Sequence, residues 1–147
     1  MNIFRSTLVV VRALSMTLWV GGMAGFAFIV APVAFRIMGP TPAFAAMIAT
    51  MLGDLTLLGA ACAAVAIAAT LLLGNHRSRY TVIFVAMVLA MSALSLYERT
   101  SVIPQMQHTS LQTPAYETLH RKSAAVYGAV LLIGVAAISL ISARNAR

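Results

Sequence analysis

The sequence predicts an all-α integral membrane protein, a four-helix bundle forming one transmembrane domain over residues 1–147. Three observations carry this. Apolar residues make up 61% of the chain and charged residues 9%, with a mean hydropathy of +0.94; about a quarter of a soluble domain is charged. The charges are spaced so that long uncharged intervals lie between them: 13–35, 37–53, 55–76, 80–97 and 123–143. A helix crossing a hydrocarbon layer of about 30 Å needs roughly 20 such residues. Finally, these intervals lack the polar face that a soluble helix must show to water.

The first helix is expected over about 7–35. Its apolar run is too long for a signal-peptide core, and Gly25-Phe26-Ala27 makes a poor cleavage site because the run continues through it. Arg36 marks its outer end, and Pro32 can kink its last turns without breaking the span. Trp19 falls nearer the middle than the interface, the place of a packing residue. Gly21 and Gly25 form a GxxxG pair, suited to close helix contact with Ala63 or Ala66 or with a second copy.

Gly39 to Pro42 reads as a turn in which Thr41 caps a second helix with Pro42 at its first position. That helix spans about 42–73, with Gly53 beside Asp54 its likeliest bend. Its inner part, Gly59 to Ala69, is built of very small side chains that larger neighbours can approach closely. Residues 74–79 (Gly-Asn-His-Arg-Ser-Arg) form a basic turn. The third helix covers about 80–102 and is expected to stop at Pro104. Thr113-Pro114 repeats the signal of Thr41-Pro42 and opens a fourth helix over about 114–142. Its first turns are interfacial and hold Glu117 and Arg121 at ion-pair spacing.

Ten Lys and Arg against three Asp and Glu give a net charge of +7. The basic residues sit at the ends of apolar runs, which points to a lipid bilayer as partner and away from nucleic acid. Four spans put both termini on one side. Arg5, Arg12, Arg77, Arg79, Arg144 and Arg147 fall on that side, against Arg36, Arg99, Arg121 and Lys122 on the other. The excess places the N- and C-termini in the cytoplasm. Cys62 stands alone, so no intrachain disulfide can form.

Asp54 is the sharpest polar signal, because a carboxylate facing lipid at the bilayer centre costs at least a few kcal/mol. Counting residues from the inner helix ends puts Asp54, Glu98, Arg99, Arg121 and Lys122 at one depth near the outer interface, with His120 beside them. Two readings share this geometry: a structural ion pair, with Arg99 the first choice for Asp54 and Arg121 or Lys122 the second, or an outward-facing polar vestibule. A third leaves Asp54 exposed near headgroups. His76 is on the inner side and His108 and His120 on the outer, so the three cannot share an ion, and Met106 with the two outer histidines matches no specific copper motif. No haem, other cofactor or resident metal is expected. No HExxH, GxSxG, phosphate loop or nucleophile–base pair is found, so no enzymatic activity is expected.

Leu18-Trp19-Val20-Gly21-Gly22, Ala31-Pro32-Val33-Ala34-Phe35 and Leu119-His120-Arg121-Lys122-Ser123 occur in this order along the helices. In these elements the chain resembles the bacterial branch of the transmembrane protein 205-like family, small proteins of four spanning helices whose shared domain is one of unknown function. Members often carry an Asn a few residues beyond the histidine, where this chain has Ala124, Ala125 and Val126. The resemblance implies the fold and a bacterial cytoplasmic (inner) membrane location; it brings no activity or substrate class. The function expected is that of a non-enzymatic membrane protein working through helix packing or a protein partner, self-association included. The alternative is a small transporter or ligand-binding protein with a vestibule around Asp54.

Overall fold

A computed structural model describes residues 3–74, 78–111 and 113–145, with side chains to Ala143. His76 and Arg77 of the expected inner turn, and the C-terminal basic side chains, lie outside the described residues. Four helices are long and apolar enough to cross a membrane: α1 Ile3–Met38, α2 Pro42–Leu72, α3 Arg79–Gln107 and α4, whose apolar span is Pro114–Ala143. They pack as two hairpins, α1 on α2 and α3 on α4, closed into a bundle by α1–α4 and α2–α3 contacts. No strand occurs among the described residues.

The turns at the end of the bundle remote from the chain termini follow from local chemistry. Gly39 ends α1 at a φ of 63°, a left-handed conformation that favours glycine. Thr41 Oγ1 then accepts from Phe44 N–H at 3.2 Å, and Thr113 Oγ1 accepts from Tyr116 N–H at the same distance. Each threonine satisfies one of the free N–H groups at its helix start. Thr113→Ala is expected to cost about 1 kcal/mol, read as a small drop in melting temperature in detergent, and Thr113→Ser to restore it.

Pro104 does not stop α3. The helix runs on to Gln107 because residues Glu98–Val102 form a π-helical turn, in which Ile103 N–H donates to Glu98 O, five residues back. The wider turn shifts the hydrogen-bond ladder ahead of the proline, whose absent N–H and bulky ring otherwise break an α-helix. In α1, Phe26–Val30 make the same turn ahead of Pro32, with Ala31 N–H donating to Phe26 O.

The two hairpins are therefore built alike. The π turns begin at Phe26 and Glu98, and the prolines, cap threonines and cap prolines (Pro32 and Pro104, Thr41 and Thr113, Pro42 and Pro114) each stand 72 residues apart. The buried faces of α1 and α3 follow the same register: Arg12 and Phe84, Met16 and Val88, Trp19 and Met91, Met23 and Ser95, Phe26 and Glu98 are all buried. The first pair touch each other, with the Arg12 guanidinium 5.7 Å from the Phe84 ring centre.

The core forms where these faces meet the small residues of α2 and α4. Trp19, 1% exposed, lies against Gly59, where an added Cβ would clash with the indole ring. Gly134 plays this part on α4 against Val20 and Met91. Close approach thus falls to Gly59 and Gly134 and not to Gly21 and Gly25, whose added Cβ atoms would meet nothing within 4 Å. The GxxxG spacing puts two glycines on one face, but that face is not turned toward α2. Helix α2 also passes through Gly53 without interruption.

Candidate functional site

One face of α4 carries a stripe of Tyr116, His120, Ser123 and Tyr127, separated by four, three and four residues. That spacing keeps side chains on one side of a helix. His120 stacks parallel to Tyr116, with ring centres 6.5 Å apart. Ser123 Oγ donates to Glu98 Oε1 at 2.5 Å, and both residues are buried. Tyr127 Oη donates to Met23 O at 2.7 Å, just before the π turn of α1, and its ring lies 6.1 Å from that of Phe26.

All four stripe residues line a groove of about 430 Å³. One wall is the outer part of α1, with Phe26, Ala27, Phe28 and Ala31; the other is α4 from Tyr116 to Leu131. Behind lie Phe44 to Leu52 of α2 and the end of α3 with Ile103, Met106 and Gln107. The groove exists because the π turn of α1 stands off from α4, whereas the π turn of α3 packs against both α4 and α2. Its size suits a small molecule or a single hydrocarbon chain. Its lining is mostly apolar, with Gln107, Tyr116, His120, Ser123 and Tyr127 as its polar side chains.

The residues expected at one depth do not form one cluster. Arg99 does reach across to α2, where its Nη1 donates to Gly53 O at 3.2 Å. It does not pair with Asp54, which is exposed. Among the described residues, the ion pair present is Arg121 with Glu117 at 2.5 Å, on the surface of α4. The expected Asp54 pairings with Arg99, Arg121 and Lys122 are therefore corrected. Successive residues turn by about 100° around a helix, so a partner at the right height met the carbonyl of Gly53 while the next side chain pointed outward. Lys122 also faces away from the groove, its Nζ 5.2 Å from the Tyr97 ring centre. Asp54 does not line the groove, so the cavity in this structure is not a polar vestibule built around it.

Glu98 and His120 are the two expected residues that do belong to this region. Sequence reasoning missed Tyr127, and Ser123 entered it only as the end of the quoted Leu119–Ser123 element. The signal was the spacing from His120, readable without a structure. Met106 and His120 line the groove while His108 does not. Among the described residues, no group of three or more His, Cys, Asp or Glu side chains is placed to hold a metal ion.

Four long apolar helices, two capped hairpins and a lateral groove define a multi-pass integral membrane protein. Residues 14–115 match the family described as Domain of unknown function (DUF4149). The match covers more than half of the chain, which belongs to that family. No curated protein and no solved structure shows a significant match.

Proposed function

We propose that this protein is a non-enzymatic binding protein that holds one lipid-like amphiphile in the groove between α1 and α4. The groove carries the reading. It is a mostly apolar space within a membrane bundle, with the hydrogen-bonding side chains of Gln107, Tyr116, His120, Ser123 and Tyr127 along its wall. A hydrocarbon tail fits the Phe26, Leu52 and Leu131 end, and a polar head meets Gln107, Tyr116 and His120. Ligand sites commonly pair an apolar lining with a few placed polar groups. The charge bias at the helix ends supports cytoplasmic termini, which would put the groove in the outer leaflet side of a bacterial inner membrane. The likeness to the transmembrane protein 205-like proteins in the residues quoted above is the finer family placement that accompanies this reading.

A fatty acid bearing a terminal diazirine tests it in proteoliposomes. Photolysis is expected to label peptides from the outer parts of α1 and α4 well above the rest of the lipid-facing surface. Gly128 lines the groove, and an added Cβ there meets nothing within 4 Å. Gly128→Trp should therefore fill the groove, lower that labelling at least about tenfold (about 1.4 kcal/mol of binding) and leave the melting temperature nearly unchanged. Labelling spread evenly round the bundle, and indifferent to Gly128→Trp, would refute the proposal.

A further inference from the structure

We infer that the groove selects a single-chain lipid whose head is uncharged and hydroxylated, and seats that head against α4; this rests on the groove reading above. Among the described residues, no Lys, Arg, Asp or Glu lines the groove. The basic residues in the same half of the bundle are turned elsewhere. Arg99 donates to Gly53 O on α2, Arg121 pairs with Glu117 on the surface, and Lys122 lies over the Tyr97 ring. Arg36 is exposed on the last turn of α1. Glu98 touches the lining from behind, through Ser123, and a carboxyl offers an anionic head no attraction. A cationic head finds no carboxylate in the wall, because Asp54 and Glu117 do not line it. A fixed charge of either sign would therefore be buried without a partner, at far greater cost than a hydroxyl that can hydrogen-bond.

The seating follows from how the lining divides between the two hairpins. The 72-residue register pairs Phe44 with Tyr116 and Ile48 with His120, and all four line the groove. The space thus lies between the repeats, where repeat-built membrane proteins place their binding sites, but its two sides differ in kind. Every lining residue of the first hairpin is apolar, and the five polar ones all belong to the second. Ser123 and Tyr127 have already placed their hydroxyl hydrogens, on Glu98 and on Met23 O. The side chains of Gln107, Tyr116 and His120 make no hydrogen bond among the described residues. Together these three both donate and accept, the complement of a hydroxylated head. A protonated fatty acid meets the same requirement.

Three photoprobes with one diazirine-bearing chain and different heads test this on the full chain in proteoliposomes: a monoacylglycerol, an alkyl phosphate and an alkyl trimethylammonium. The pH is held at about 8, where an ordinary imidazole is uncharged. The monoacylglycerol should label the lining peptides of α1 and α4 at a half-saturating concentration at least about tenfold below that of either charged probe (about 1.4 kcal/mol). Tyr116→Phe combined with His120→Leu should remove most of that preference. Gln107 is exposed at the end of α3, a place that tolerates charge, and Gln107→Arg should strengthen phosphate labelling at least about tenfold. Equal or stronger labelling of those peptides by a charged probe overturns the inference and leaves the groove reading standing. An unchanged preference in the Tyr116 and His120 variant overturns the seating; where that variant does not fold, unchanged phosphate labelling in Gln107→Arg does so instead. Labelling spread evenly round the bundle by all three probes defeats the groove reading itself.

Discussion

Trp19→Ala is expected to cost about 3–5 kcal/mol, the largest loss from any single truncation in this bundle. Its indole is buried against Gly59 at the centre of the core that also holds Met16, Val20 and Ala63. Lipid tails are as apolar as the core, so little is gained by moving apolar surface out of lipid. The loss is instead the dispersion contact of a large ring with a closely approached helix. Gly59→Leu is expected to be destabilising for the opposite reason, by about 1–3 kcal/mol, since its side chain must displace the ring. The double variant is the decisive measurement. With the indole gone, the new leucine has room, and the pair should be more stable than the sum of its parts by at least about 1 kcal/mol. Melting temperatures in one detergent for the four proteins give the coupling. Additive losses would show that Trp19 and Gly59 do not pack on one another in the bilayer.

The Trp19–Gly59 contact shows what a sequence reading can and cannot reach here. The number of spans was legible because charges interrupt the apolar sequence between them, as at Arg36 and Arg79, and the starts of α2 and α4 were legible in the Thr-Pro caps. Trp19 could be assigned to the core from its depth alone. Which glycine it meets could not, because Gly21, Gly25, Gly53, Gly59 and Gly134 all permit close approach, and only the rotation of each helix selects among them. The same distinction explains Asp54. Depth is one coordinate, countable from the helix ends; the direction of a side chain is a second. Arg99 was placed at the right height and found Gly53 O. Pro104 was misread because a rule for α-helices was applied to a π turn, whose altered ladder carries the helix past the proline. The stripe from Tyr116 to Tyr127 was legible, since its spacing is written in the sequence, but attention to charged residues passed over the hydroxyls.

Ser123→Val is expected to destabilise the protein by about 1–3 kcal/mol, although it replaces one side chain with another of similar shape. Glu98 is 5% exposed and accepts from Ser123 Oγ. Among the described residues, no basic side chain forms an ion pair with it. Removing the hydroxyl takes away that donor and leaves an ionisable group buried between helices, the costly half of breaking any buried polar pair. Removing the carboxyl side has the opposite balance. Glu98→Gln keeps an acceptor for Ser123 and removes the need to bury an ionisable group, so it should be neutral or stabilising. Adding Glu98→Gln to Ser123→Val should recover part of the loss, because an amide is less costly to leave without that donor. The hydroxyl also lines the groove, so Ser123→Val should change labelling by the diazirine fatty acid as well as stability, whereas Thr113→Ala should change stability alone. Thermal unfolding of the three Glu98 and Ser123 variants in detergent, read beside their labelling in proteoliposomes, separates these effects. Wild-type stability in Ser123→Val would mean that the Glu98–Ser123 bond does not support the bundle.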